Sequence, residues 1–173
     1  NQMELVDRLI HSGGLSGIVT TVQAINTPAL PARATGKKVR WYLEWYTDTG
    51  ATASNAMVAF THTDATTNTA VIAVGGTVRA GRKIEIVSSA GKEIASIQQI
   101  TSLSASTGTA GNFGVVAEAH TPIKAGVLAA NGNVEYESLI RKIGDGTECL
   151  SMNMNCTTTS TGIVEALLTF MQG

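Results

Sequence analysis

His62 and Asp64 are the arrangement in this sequence closest to a catalytic apparatus. Residues two apart on a strand share a face, so the carboxylate could orient the imidazole as a general base for a serine nucleophile. No G-x-S-x-G elbow marks such a serine, and nucleophile, base and orienting group would all have to meet in one geometry. His62 is therefore expected to be a solvent-facing strand histidine, with a hydrolase using it as a minor alternative. His11 and His120 lie far away in sequence and lack a second ligand at metal spacing, so no metal site is expected. Cys149 and Cys156 sit at an odd separation and would face opposite sides of one strand, or meet across a hairpin if 151–155 turns. Two reduced thiols, in a protein made in a reducing cytoplasm, are the expectation.

Two glycine-rich segments, Gly13-Gly14-Leu15-Ser16-Gly17 and Gly108-Thr109-Ala110-Gly111, lack the Lys-Ser/Thr ending of a phosphate-binding loop and read as turns. Glu135 and Glu137 share a strand face, and Glu44 and Asp48 lie near the clearest strand, but a paired-carboxylate glycosidase site usually brings stacking aromatics with it. The aromatics here cluster at Trp41, Tyr42, Trp45 and Tyr46. Alternation sends the tryptophans to one side, as core, and the tyrosines to the other, where they suit an interface or a sugar-stacking platform. No catalytic residue, cofactor or metal ligand is assigned.

The elements that would carry these residues are mostly strands. Val39, Trp41, Leu43 and Trp45 alternate with Arg40, Tyr42, Glu44 and Tyr46, and Met57, Ala59 and Thr61 alternate with Val58, Phe60 and His62. Further strands are expected over 15–25, 70–74, 83–87, 94–103, 113–119, 134–140, 149–154 and 163–171, the last able to switch to a helix. Thr49-Gly50, Gly75-Gly76, Ala90-Gly91, Asn131-Gly132 and Asp145-Gly146 punctuate the runs as turns. Asn26 to Lys38, with Pro28 and Pro31, reads as an extended arm. Leu5, Val6, Leu9 and Ile10 fall at helix-like spacing before Gly13-Gly14, which predicts a short N-terminal helix or strap over 1–14. The rest, 15–173, is expected to be a single antiparallel β-sandwich of jelly-roll type.

Charged residues make up 14% of the 173, well under the usual quarter, and Thr, Ser, Ala, Asn and Gly take their place. Weak repulsion between copies suits a protein that associates. A net charge of −1 argues against nucleic acid as a partner, and no apolar run is long enough for a membrane helix. The opening residues show no secretory pattern. A short apolar segment cannot hold a helix alone in water, so the N-terminal set must pack on its own domain or on a neighbour. Leu5, Leu9, Ile10, Tyr42 and Tyr46 are the candidate interface residues.

Three stretches carry a resemblance. Asp7 to Gly17, Leu43 to Ala53 and Ser106 to Val115 resemble, in order, segments of small virion structural proteins of tailed bacteriophages. They span the first two-thirds of the chain; the part from Val127 on resembles nothing comparable. The resemblance implies a capsid cement or decoration protein located on the virion. It would be a homo-oligomer, dimer or trimer, and would clamp the major capsid protein lattice. A virion attachment module that binds host glycans through Tyr42 and Tyr46 is the alternative.

Overall fold

The computed structural model describes residues 2–102, 110–126 and 148–155. The expected strands over 134–140 and 163–171, the turns at Asn131-Gly132 and Asp145-Gly146, the pair Glu135 and Glu137, and Cys156 lie outside them. Strands dominate what is described: β1 (Gln2–Ser16), β2 (Gln23–Ala24), β3 (Val39–Trp45), β4 (Ala53–His62), β5 (Thr67–Gly75), β6 (Lys83–Ile86), β7 (Ile94–Ser102), β8 (Asn112–Gly126) and β9 (Leu150–Asn155). They form two antiparallel sheets, ordered β6-β3-β8-β1-β9 and β2-β7-β4-β5. The all-β sandwich expected from period-two patterning is the fold. The pairings are also nested: β1 with β8, β2 with β7, β3 with β6 and β4 with β5, taken alternately from the first sheet and the second.

The core lies between the sheets. Val39, Trp41, Leu43 and Trp45 all point into it, as alternation on β3 requires, against Phe60, Val58, Ile97 and Ile100 of the second sheet. Trp41 does more than fill space. Its indole Nε1–H donates to the Ile94 carbonyl at 2.8 Å, so one side chain of the first sheet closes a hydrogen bond on the backbone of the second. Trp45 stacks on Phe113 with ring centroids 4.6 Å apart.

The N-terminal helix or strap is not formed. Residues 2–16 are a strand inside the five-stranded sheet, paired with β8 on one side and β9 on the other, and the expected boundary at 14/15 falls within that strand. The helix-like spacing has a different physical cause. Asp7 pairs with Ala119 and Ile10 with Ala117, both core positions, and the register shifts between Arg8 and Ile10. This bulge puts Leu9 and Ile10 in succession on the core side, while Val6, paired with His120, lies on the opposite face with no exposed surface. A strand buried on both faces and bulged at Arg8–Ile10 thus imitates a 3.6-residue period. Gly13-Gly14 is part of the strand too: Gly14 adopts φ +91° where the register shifts between Ser12 and Leu15.

The expected strand over 15–25 divides. β1 ends at Ser16, and the Gln23 side-chain amide bonds both the N–H and the carbonyl of Ser16, at 2.8 and 3.0 Å, standing in for a strand partner at the crossing to the second sheet. The arm over 26–38 returns along the sandwich with a single 3-10 turn, Ala32–Ala34, whose Arg33 and the following Lys37 reach the buried carboxylate of Asp7. Replacing Trp41 by Ala is expected to cost about 3–5 kcal/mol of stability, because it opens a cavity and orphans the Ile94 carbonyl. A denaturant midpoint unchanged from wild type would contradict that role.

Candidate functional site

The chemistry-bearing side chains collect on the outer face of the five-stranded sheet. Alternation places Arg40, Tyr42 and Glu44 of β3 there, with Glu118 and His120 of β8, Glu4, Arg8 and His11 of β1, and Lys83 of β6. The face is not a solvated surface. Val6, Val116 and Glu118 have no exposed area, and Glu4 and Tyr42 are buried. Lys83 bonds Glu118 and, at 2.6 Å, the side chain of Asn153; Asn153 bonds the other Glu118 oxygen at 2.7 Å. Lys83 and Asn153 stand on opposite edge strands, which a flat five-stranded sheet would hold roughly 19 Å apart. The sheet is therefore curled, with this face concave, and its polar groups form a second interior.

Among the described residues, its ionic groups are paired. The Arg8 guanidinium bonds both oxygens of Glu44, at 2.7 and 2.9 Å, with Glu118 3.8 Å from its Nε. Glu4, His120 and Tyr42 form a relay: Glu4 Oε1 lies 2.7 Å from Nδ1 and the Tyr42 hydroxyl 2.9 Å from Nε2. Burial pushes the Tyr42 phenol up to about 12, so it is protonated at neutral pH. The imidazole thus bridges a buried carboxylate and a buried phenol through its two ring nitrogens. Chemically the arrangement resembles an oriented base on a hydroxyl, but the hydroxyl belongs to a buried phenol.

Tyr46 sits at the rim, 37% exposed, its hydroxyl 2.6 Å from His11 Nε2. Burial and the nearby Glu44 carboxylate raise its ionisation above the ordinary tyrosine value. It lies across Gly114, where a Cβ would come within 2.1 Å of the phenol oxygen, so the glycine clears the slot that holds the ring. Of the candidate interface residues, Leu5, Leu9, Ile10 and Tyr42 are buried within the chain, and only Tyr46 meets solvent. A two-tyrosine stacking platform is therefore not displayed.

His62 is also not solvent-facing: it is 3% exposed at the end of β4. Nε2 meets Ser88 Oγ at 2.8 Å and Nδ1 meets Thr66 Oγ1 at 2.9 Å, while Thr66 passes its own proton to Asp64 at 2.6 Å. Asp64 lies in the turn after the strand and acts on the imidazole through a hydroxyl. Its ionisation is held well below the usual carboxylate range, first by the Lys92 ammonium and then by Thr66. Ser88 is itself buried and also accepts the Ala90 N–H at 3.2 Å. The group ties a corner where the β4–β5 turn meets the β6–β7 connection. Among the described residues, no cluster of His, Cys, Asp or Glu could hold a metal ion. Cys149 is exposed.

The second sheet presents the contrasting surface. None of the residues of β2, β4, β5 and β7 is Asp, Glu, Lys or Arg. Thr67, Thr69, Val71 and Ala73 of β5 are exposed on its outer face, beside Asn55, Met57, Ala59 and Thr61 of β4. Sequence reasoning found the β5 strand over 70–74 but missed this surface. The visible signal was the uncharged run from Thr66 to Val78.

No family model, curated protein or solved structure matches the chain.

Two outcomes test this account of the concave face. Lys83→Met leaves Glu118 charged and under-partnered in a dry site, and should cost about 3–5 kcal/mol; an unchanged unfolding free energy would show that the carboxylate is solvated after all. Tyr42 holds its proton more tightly folded, near pH 12, than unfolded, near pH 10. Between those values the unfolded chain sheds a proton that the native one keeps, so stability falls as pH rises. Tyr42→Phe should flatten that alkaline decline relative to wild type in pH-dependent denaturation, and parallel curves would refute the burial of the phenol.

Proposed function

We propose that the chain is a structural, non-enzymatic protein that works by binding other protein in a large assembly. The assembly we favour is a tailed-phage capsid, where the chain acts as a cement or decoration protein on the major capsid protein lattice. The observation that carries the reading is the sorting of charge: paired groups fill the concave face of one sheet, while the other sheet offers an uncharged outer face. Such a face costs less to dehydrate than an ionic one, since its Thr, Asn, Ala, Val and Met lose no ionic hydration and its hydroxyls and amide can re-bond across a contact.

The winding adds support by analogy. A long hairpin whose successive pairs fall alternately in two sheets is the jelly-roll path, and the nested pairings of β1 to β8 support that reading. Jelly rolls recur in viral capsid and lectin domains among others, so this raises the expectation of an assembly role without fixing it. The capsid itself enters from the sequence resemblance at Asp7 to Gly17, Leu43 to Ala53 and Ser106 to Val115. Contacts made only on the assembled shell would stabilise that shell by mass action.

Purified particles of the virus that encodes the chain decide the matter. Quantitative mass spectrometry is expected to find it at a fixed ratio to the major capsid protein on full heads. Absence from the particles overturns the capsid assignment, and specific retention on a glycan array would favour an attachment module instead.

A further inference from the structure

We infer that β5 is a self-pairing edge, through which two copies of this chain join their four-stranded sheets into one continuous sheet of eight strands across a two-fold axis. The inference rests on the reading of the chain as an assembly protein and names the surface that serves it.

An edge strand presents a row of unpaired N–H and C=O groups, and soluble proteins normally blunt it. Four strands are edges among the described residues. β2 has two residues, and β6 has four, carrying Lys83 and Glu85. β9 has six. β5 has nine and none of the usual protection: no charge, no proline, and an unbroken register against β4 from Thr67 to Gly75. Among the described residues its backbone bonds to β4 alone. The turn before it is pinned by His62, Thr66, Asp64 and Lys92.

A second copy is the occupant that this edge fits. Antiparallel pairing of a strand with itself is self-complementary in backbone donors and acceptors, and a two-fold contact needs no second surface. Centred on Val71, the pairing sets Thr67 against Gly75, Thr69 against Ala73 and Val71 against its own counterpart on the exposed face. On the core side it sets Ala70 against Ile72. No like charges meet anywhere along it, which is the condition that a two-fold contact most easily violates. Val71 is 60% exposed in the single chain, and in the pair it would be covered by its counterpart. A charged partner strand would gain nothing from an edge that offers it no counter-charge.

Sedimentation and native mass spectrometry of the full chain across the micromolar range test this. Wild type is expected to dimerise. V71K, which places two ammonium groups at the axis, should weaken the dimer by roughly tenfold or more, as should V71E. Mixing V71K with V71E should restore a heterodimer, which only a contact centred on this residue can do. V71T should remain dimeric, because the backbone makes the contact. Val71 is exposed in the single chain, so these variants should still fold, losing only the concentration-dependent stabilisation that the dimer adds. If one does not fold, amide exchange on wild type still decides, since protection over 67–75 should rise with concentration. A monomeric wild type, a V71K dimer as tight as wild type, or no rescue on mixing overturns the inference. Dimers without particle association would overturn the capsid assignment alone, and particle association by a monomer would overturn the edge pairing alone.

Discussion

The carboxylate of Glu118 has no exposed surface and stands at the middle of the five-stranded sheet, so it must be matched by charge and hydrogen bonds from whatever can reach it. Lys83 and Asn153 do so from the two opposite edges of the sheet, and Arg8 approaches from the neighbouring strand. That requirement bends the sheet around the carboxylate and turns an outward face into an interior. Tyr42 and Glu4 are then buried with it, and the half-buried His120 contacts both. Much of the strand-borne charge is spent in this way on one side of the molecule.

The other sheet shows the complement of that sorting. Its outer face is built from Thr, Ala, Asn, Gln, Val and Met, and its internal ties are neutral ones such as Gln98 to Thr61 at 2.6 Å. The core between the sheets does not distinguish the two: tryptophan from one side and phenylalanine and isoleucine from the other fill it in the ordinary manner. What distinguishes them is the cost of removing each outer face from water. That cost is already met within the chain for the first sheet, and it is smaller for the second, which carries no ionic groups.

Alternation made β3 and β4 legible, because each buries one face in a core and shows period two plainly: Val39, Trp41, Leu43 and Trp45 point where the pattern sends them. The same rule misled wherever both faces are buried. Val6 and Leu9 are on opposite sides of β1, and the bulge adds Ile10 to the core side, which together read as a helix. Tyr42 alternates out of the core correctly, but a concave sheet buries what a flat one would expose. Glu4 with His120, and Ser88 with His62, are juxtaposed by strand order, which no local spacing encodes. The edge status of β5 is likewise a property of topology. Its residues were readable as a strand, while its place at the rim of the described sheet was not.

The nested pairing has a consequence for the order in which the chain can close. β4 and β5 are joined by a tight turn and can zip with little loss of chain entropy, whereas β1 and β8 meet only after the whole intervening chain has been looped back. The second sheet's hairpin is thus positioned to form early, with its uncharged edge exposed, and the ionic interior is positioned to close late. During that interval nascent chains at high concentration face a choice between completing their own fold and pairing with a neighbour. Synthesis from the N-terminus sharpens it: β5 emerges well before β8, so its uncharged strand exists as a hazard before β1 has its principal partner.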